Sequence, residues 1–99
     1  MEYNIFWQPK SKESYLNEID FIFLKWNHKE VEKFILLVNN NLFRLSKNHQ
    51  IGIPIGKVYR LVISKQTTLF YQICHNKNQI NLLYFWNNSK NPDDLTKLF

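Results

Sequence analysis

The sequence predicts a small α+β fold with element order β-α-α-β-β-β-α. An N-terminal strand leads into a helical hairpin, which packs on a small, mainly antiparallel sheet, and a short helix closes the chain. Three observations predict it. The chain has 99 residues, enough for one core and a single domain over residues 1–99. Its apolar residues recur at helical spacing in the first half and alternate in the second. The connections between the later elements are only a few residues long, which favours antiparallel neighbours.

Tyr3-Asn4-Ile5-Phe6-Trp7 is β-prone and is stopped by Pro9. Proline fits the first turn of a helix, where its missing N–H costs nothing. From Ser11 onward Tyr15, Ile19, Ile22, Phe23 and Trp26 form a predicted apolar stripe, with Lys12, Glu13, Glu18 and Lys25 outside it. Asn27 breaks the pattern and suits an N-cap, with Glu30 three residues later as in a capping box. The second helix presents Val31, Phe34, Ile35, Val38, Leu42 and Leu45. Neither stripe can be buried alone, so the two helices are expected to fold back on one another.

His49 to Gly56 holds both glycines and Pro54 and reads as the one true loop. Three strands follow, over Lys57–Lys65, Thr67–His75 and Gln79–Asn87, joined near Gln66 and across Asn76-Lys77-Asn78 as a meander. Asn91-Pro92-Asp93-Asp94 opens a last short helix through Leu98, with both aspartates explained by capping and the helix dipole. Strict alternation puts Lys57, Tyr59, Leu61 and Ile63 on one face of the first of these strands and Val58, Arg60, Val62 and Ser64 on the other. On the last strand it puts Ile80, Leu82, Tyr84 and Trp86 opposite Asn81, Leu83, Phe85 and Asn87.

Composition narrows the class. With 44% hydrophobic residues, 16% aromatic residues and only two glycines and three prolines, the chain is no disordered tail. No apolar run is long enough to span a membrane. Met1-Glu2-Tyr3-Asn4 lacks the basic and apolar regions of a signal peptide, and the one cysteine, Cys74, cannot staple the fold. A cytoplasmic location is therefore expected. Alanine is absent while Asn, Lys, Ile and Phe abound, the signature of an AT-rich, bacterial genome.

Charge is segregated. Residues 1–32 carry six acids against four bases, and the last stretch holds Asp93, Asp94 and Lys97. Between Lys33 and Pro92 there is no acid, but there are eight bases: Lys33, Arg44, Lys47, Lys57, Arg60, Lys65, Lys77 and Lys90. Such a block on a small fold produces a one-sided positive field that favours an acidic or polyanionic partner.

Motifs for common chemistries are missing. His28, His49 and His75 fall on a helix junction, a loop and a strand end, at no ligand spacing with one another or with Cys74. No metal or cofactor is expected on that basis. There is no glycine-rich phosphate cradle and no GxSxG or HExxH motif. What remains is a basic sheet whose edge near Lys65, Trp86, Asn87, Asn88 and Lys90 mixes cations, amides and an indole. Lys57, Arg60, Lys65 and Lys90 suit phosphates or an acidic surface, Asn88 offers an amide, and Trp86 or Tyr84 offers a ring for a base to stack on. Lys57 and Arg60 are the candidates for any catalytic role.

The ordered set of segments resembles the RelE/ParE superfamily of bacterial type II toxins. It comprises Trp7-Gln8-Pro9-Lys10 entering the hairpin, Ile51-Gly52 in the loop, Val58-Tyr59-Arg60-Leu61-Val62-Ile63, and Leu69-Phe70-Tyr71-Gln72-Ile73. Leu83-Tyr84-Phe85-Trp86-Asn87-Asn88-Ser89-Lys90-Asn91-Pro92 completes it, similar to the family's Phe-Asp-Asn-Arg-x-Asn-Pro ending. The resemblance covers essentially the whole chain. It implies a growth inhibitor neutralised by a cognate antitoxin that is acidic where it meets the basic block. RelE-like members are metal-independent, ribosome-dependent mRNA endoribonucleases, whereas ParE-like members poison DNA gyrase without cutting RNA. The nuclease pattern places an arginine where this chain has Thr68, a second base near Asn88 and a tyrosine near Asp94. Arg60 keeps one basic position on the earlier strand, while Val62 stands beside it on the same face. A phosphorane needs fixed cations, which threonine and asparagine do not supply. The resemblance therefore implies the ParE-like, non-nucleolytic branch, with the nuclease and an inactive antitoxin-binding relic as alternatives.

Overall fold

A computed structural model describes residues 2–90. The expected C-terminal helix lies outside the described residues. The elements are β1 (Asn4–Trp7), α1 (Pro9–Lys25), α2 (His28–Lys47), β2 (Ile53–Ile55), β3 (Val58–Val62), β4 (Thr67–Cys74) and β5 (Gln79–Asn87), with a short 3₁₀ turn at His75–Lys77. The architecture is α+β: one mixed five-stranded sheet in the order β1-β5-β4-β3-β2, with the helical hairpin over one face.

Strands β3, β4 and β5 form the expected antiparallel meander. The segment read as a loop contains a strand, because Ile53-Pro54-Ile55 pairs antiparallel with Val58–Arg60 across a tight turn in which Gly56 has φ of 60°. Pro54 hid it, since proline is excluded from central strands but tolerated at an edge. β1 pairs parallel with β5, so the first and last described strands lie side by side.

The capping expectation at α2 is met. Asn27 Oδ1 accepts the Glu30 N–H at 3.0 Å, and Val31, Phe34, Val38 and Leu45 are buried against the sheet. α1 differs from its predicted face. Its buried residues are Ser11, Ser14, Glu18 and Ile22, while Phe23 and Trp26 are half exposed.

The reason is that β1 stops at Trp7, leaving the edge of β5 beyond Leu82 without a strand partner. α1 takes over that edge. The Gln8 N–H donates to the Leu82 carbonyl at 3.2 Å, and the Phe85 N–H donates to Ser14 Oγ at 2.8 Å. Short polar side chains face a backbone that needs hydrogen bonds, where an apolar stripe would strand buried N–H groups.

β5 departs from strict alternation. Phe70 pairs with Tyr84 but Tyr71 pairs with Leu82, so Leu83 is an extra residue in a bulge. The bulge reverses parity along the strand. Ile80, Leu82 and Phe85 therefore face the core, while Tyr84 and Trp86 share the opposite face with Phe70 and Thr68. The predicted grouping of Ile80 and Leu82 with Tyr84 and Trp86 therefore fails, as does that of Phe85 with Asn81, because Leu83 shifts the faces of every residue after it.

Candidate functional site

The β3–β4 turn and the end of β5 meet at one end of the sheet, where Asn88 acts as a clamp. Its backbone N–H donates to the Gln66 carbonyl at 2.7 Å and its Nδ2 donates to the Lys65 carbonyl at 3.0 Å. Its Oδ1 accepts from Thr68 Oγ1 at 2.9 Å. One residue on, Asn87 Oδ1 accepts the Ser89 N–H at 2.9 Å, and the Asn87 carbonyl accepts the Lys90 N–H at 3.0 Å. The Lys90 ammonium then lies 5.8 Å from the centre of the Trp86 ring. Lys65, Trp86, Asn88 and Lys90 thus come together as a cation–amide–indole cluster.

Trp86 itself is only 6% exposed, whereas Tyr84 beside it is half-buried, with ring centres 6.3 Å apart. Of the two, Tyr84 presents the ring surface open to a planar ligand.

Beneath the cluster is a residue that the sequence reading placed outside the buried stripe. Glu18 of α1 is 4% exposed and accepts from Thr67 Oγ1 at 2.5 Å and from the Asn87 side chain. Burial pushes its carboxyl up from the ordinary range, opposed by these two hydrogen bonds and by the charge of Lys90. The Ser11–Ser14–Glu18 spacing is itself helical, so a polar stripe was legible there once an exposed strand edge had been suspected.

The other two candidates lie elsewhere. Arg60 is exposed on the sheet face away from the helices, in register with Ile53, Phe70 and Tyr84. Val62, Thr68 and Trp86 form the neighbouring row. Lys57 sits in the β2–β3 turn and Lys65 in the β3–β4 turn, at opposite ends of β3. The strand between them, Val58–Val62, is itself about 13 Å long. Lys57, Arg60 and Lys65 therefore do not surround one small group.

A groove of about 540 Å³ opens between the hairpin and the β3–β4 turn. Ile22, Phe34, Trp26 and Leu37 supply apolar lining, and Lys33 and Lys65 stand at its mouth. The acid there, Glu30, is already paired with Lys33 at 3.3 Å. A second hollow beside it adds Lys25 and Ser89. The surface suits an apolar segment flanked by acids.

No family model matches the sequence, and no curated protein sequence matches it. Solved structures do match in shape. A chain of the chromosomal ParDE toxin–antitoxin system from P. aeruginosa superposes with a TM-score of 0.71 at 11% identity, covering 87% of this chain and 96% of that one. A chain of the toxin–antitoxin complex RelBE2 from Mycobacterium tuberculosis gives 0.64 at 12% identity, covering 89% and 100%. The isolated RelE toxin of E. coli gives 0.60 at 10% identity, covering 98% and 99%.

The chain has the RelE/ParE toxin fold.

Within the RelE/ParE fold, the two positions where the resemblance expects nuclease bases, Thr68 and Asn88, are bonded to one another. Val62, which stands beside Arg60 on the same face, is an exposed valine next to Thr68 in the sheet. Among the described residues of that face, Arg60 stands in a row of apolar and aromatic neighbours.

Proposed function

We propose that this chain is the toxin of a type II toxin–antitoxin pair and that it acts in the ParE-like way, inhibiting DNA gyrase without cleaving RNA. The observation that carries the mechanistic choice is the Thr68–Asn88 hydrogen bond at 2.9 Å. In-line attack by a 2′-hydroxyl builds negative charge on a phosphorane, and removing even one fixed donor from such a site costs about a hundredfold or more. Here the two sites are filled by neutral side chains bonded to each other, and the Asn88 side-chain amide nitrogen donates to the Lys65 carbonyl. The pair is built to hold a turn.

In this reading the target-binding surface is the cluster of Lys65, Trp86, Asn88 and Lys90, extended by Arg60 on the sheet face and by Lys57 at the far turn. The antitoxin places an acidic, amphipathic segment against the basic side of the molecule, where like charges on the toxin are relieved and association is accelerated. The protein works in the cytoplasm, where both possible targets reside.

Ribosome-dependent mRNA cleavage is the second reading, favoured by the exposure of Arg60. Inducible expression in a bacterial host separates the two, with labelled thymidine and labelled amino acid followed in parallel. The expected result is an early halt in DNA synthesis accompanied by gyrase-linked breaks. An early halt in translation with mRNA cut on ribosomes would overturn the ParE-like reading. Undisturbed growth would leave an inactive relic that only binds its antitoxin.

A further inference from the structure

Two histidines that are remote in sequence meet at the end of the sheet opposite to Lys65 and Asn88. His49 follows α2 and His75 follows β4, yet their ring centres lie 5.4 Å apart at an interplanar angle of 78°. Tyr3 joins them. Its ring stacks on His49 at 4.1 Å and 16°, and its hydroxyl lies 3.0 Å from His75 Nδ1. We propose that His49 and His75 form a binding site for a divalent transition ion of the nickel–copper–zinc group, with Tyr3 as the residue that orients His75.

Geometry is the first support. A metal-bound imidazole has its ring centre about 3.2 Å from the ion, so two such ligands at a tetrahedral angle have centres about 5.2 Å apart. The observed 5.4 Å is compatible with two ligands on one ion.

Hydrogen bonding is the second. Ligating histidines commonly donate the other ring N–H to an oxygen, which fixes both tautomer and ring orientation. Metal binding selects the tautomer in which His75 Nδ1–H donates to the Tyr3 phenol oxygen and Nε2 keeps its lone pair. Stacking on Tyr3 restrains the His49 ring as well.

Placement is the third. The Tyr3 N–H donates to the Ser46 carbonyl at 2.9 Å, the His49 carbonyl accepts from Tyr71 at 3.0 Å, and the Asn78 N–H closes the turn onto the His75 carbonyl at 3.2 Å. All three residues are thus pinned by backbone bonds.

Among the described residues no third His, Cys, Asp or Glu completes the set. Water therefore fills the remaining positions, and affinity falls well short of a four-ligand structural site. Imidazole pairs of this kind bind copper most tightly, then nickel and zinc. The ion would clip the N-terminal segment, the α2–β2 loop and the β4–β5 connection together, raising thermal stability by mass action.

The test uses the untagged full chain and the metal ion alone. Zinc and nickel titrations followed by calorimetry are expected to show one saturable site with Kd below about 100 µM. His75→Ala, at an exposed position, is expected to abolish it, His49→Asn to weaken it at least about tenfold, and Tyr3→Phe to weaken it about tenfold, the usual cost of losing an outer partner. Copper bound to Cys74→Ser is expected to show hyperfine coupling to two imidazole nitrogens by electron paramagnetic resonance. Absence of saturable binding, binding unchanged in His75→Ala, or coupling to fewer than two imidazoles would each overturn the site.

Discussion

Replacing Tyr71 by phenylalanine removes one oxygen from the centre of the molecule and should cost far more than its size suggests. Tyr71 is fully buried, and its hydroxyl accepts the buried Gly52 N–H at 3.0 Å while donating to the His49 carbonyl at 3.0 Å. The phenyl ring keeps its place, stacked on Tyr59 at 5.2 Å. The loss is therefore confined to two orphaned backbone groups. Each unsatisfied group costs about 1–3 kcal/mol, and His49 is the less buried of the two, so the sum is about 2–4 kcal/mol. Water cannot rescue them easily, because the missing oxygen frees less than the ~30 Å³ that a water molecule occupies in the liquid. A β-carbon at Gly52 would sit 2.6 Å from the Tyr71 oxygen and 2.8 Å from the Arg60 carbonyl, so the loop has no slack to fill the gap. In urea, with an m-value of about 1.2 kcal/mol/M, the midpoint should fall by about 2 M or more with the slope unchanged. A drop under about 0.4 M would refute the assignment of the hydroxyl as the bolt that holds the α2–β2 loop to the sheet.

Three further outcomes are expected. Glu18→Gln should alter the pH dependence of stability: burial raises the folded carboxyl above its unfolded value, so its stabilising contribution is full below the unfolded pKa and is lost as pH rises through the folded one. The wild type should therefore gain stability relative to the variant between neutral pH and about pH 4.5, and parallel urea curves that keep a constant gap would contradict this. Asn27→Ala should lower stability by about 1 kcal/mol by uncapping α2, read as a shifted midpoint at unchanged slope. Arg60→Ala, at an exposed position, should leave stability within about 0.5 kcal/mol while weakening growth inhibition, and full toxicity in that variant would remove Arg60 from the target surface.

What could be read from the sequence was whatever depends on neighbours along the chain. The Asn27 cap, the α2 stripe and the β3–β4–β5 meander are set by local period and turn chemistry, and they appear as expected. What escaped depends on neighbours across space. Ser14 and Glu18 look like solvent residues until the bare edge of β5 is placed beside them. Leu83 looks like one more apolar strand residue, yet as the extra residue of the bulge it reverses the faces of Tyr84 and Trp86. His49 and His75 show no spacing pattern because the fold, not the helix or strand repeat, brings them together. For the site, the cluster at Lys65, Asn88 and Lys90 was visible as a sheet edge, whereas the distance of Lys57 from it required the strand directions.

The parallel pairing of β1 with β5 also sets a timetable for synthesis. Asn4 pairs with Gln79 and Trp7 with Leu82, so β1 must wait for β5, which is made much later. The hairpin can form early, because its contacts are local. The sheet cannot, since β5 lies between β1 and β4 and supplies a partner to each. A nascent chain stopped before Gln79 leaves β1 without a strand partner and β4 paired on one side only, with β3, and has none of Trp86, Asn88 or Lys90. Whatever this surface does, it is assembled only after β5 has been made.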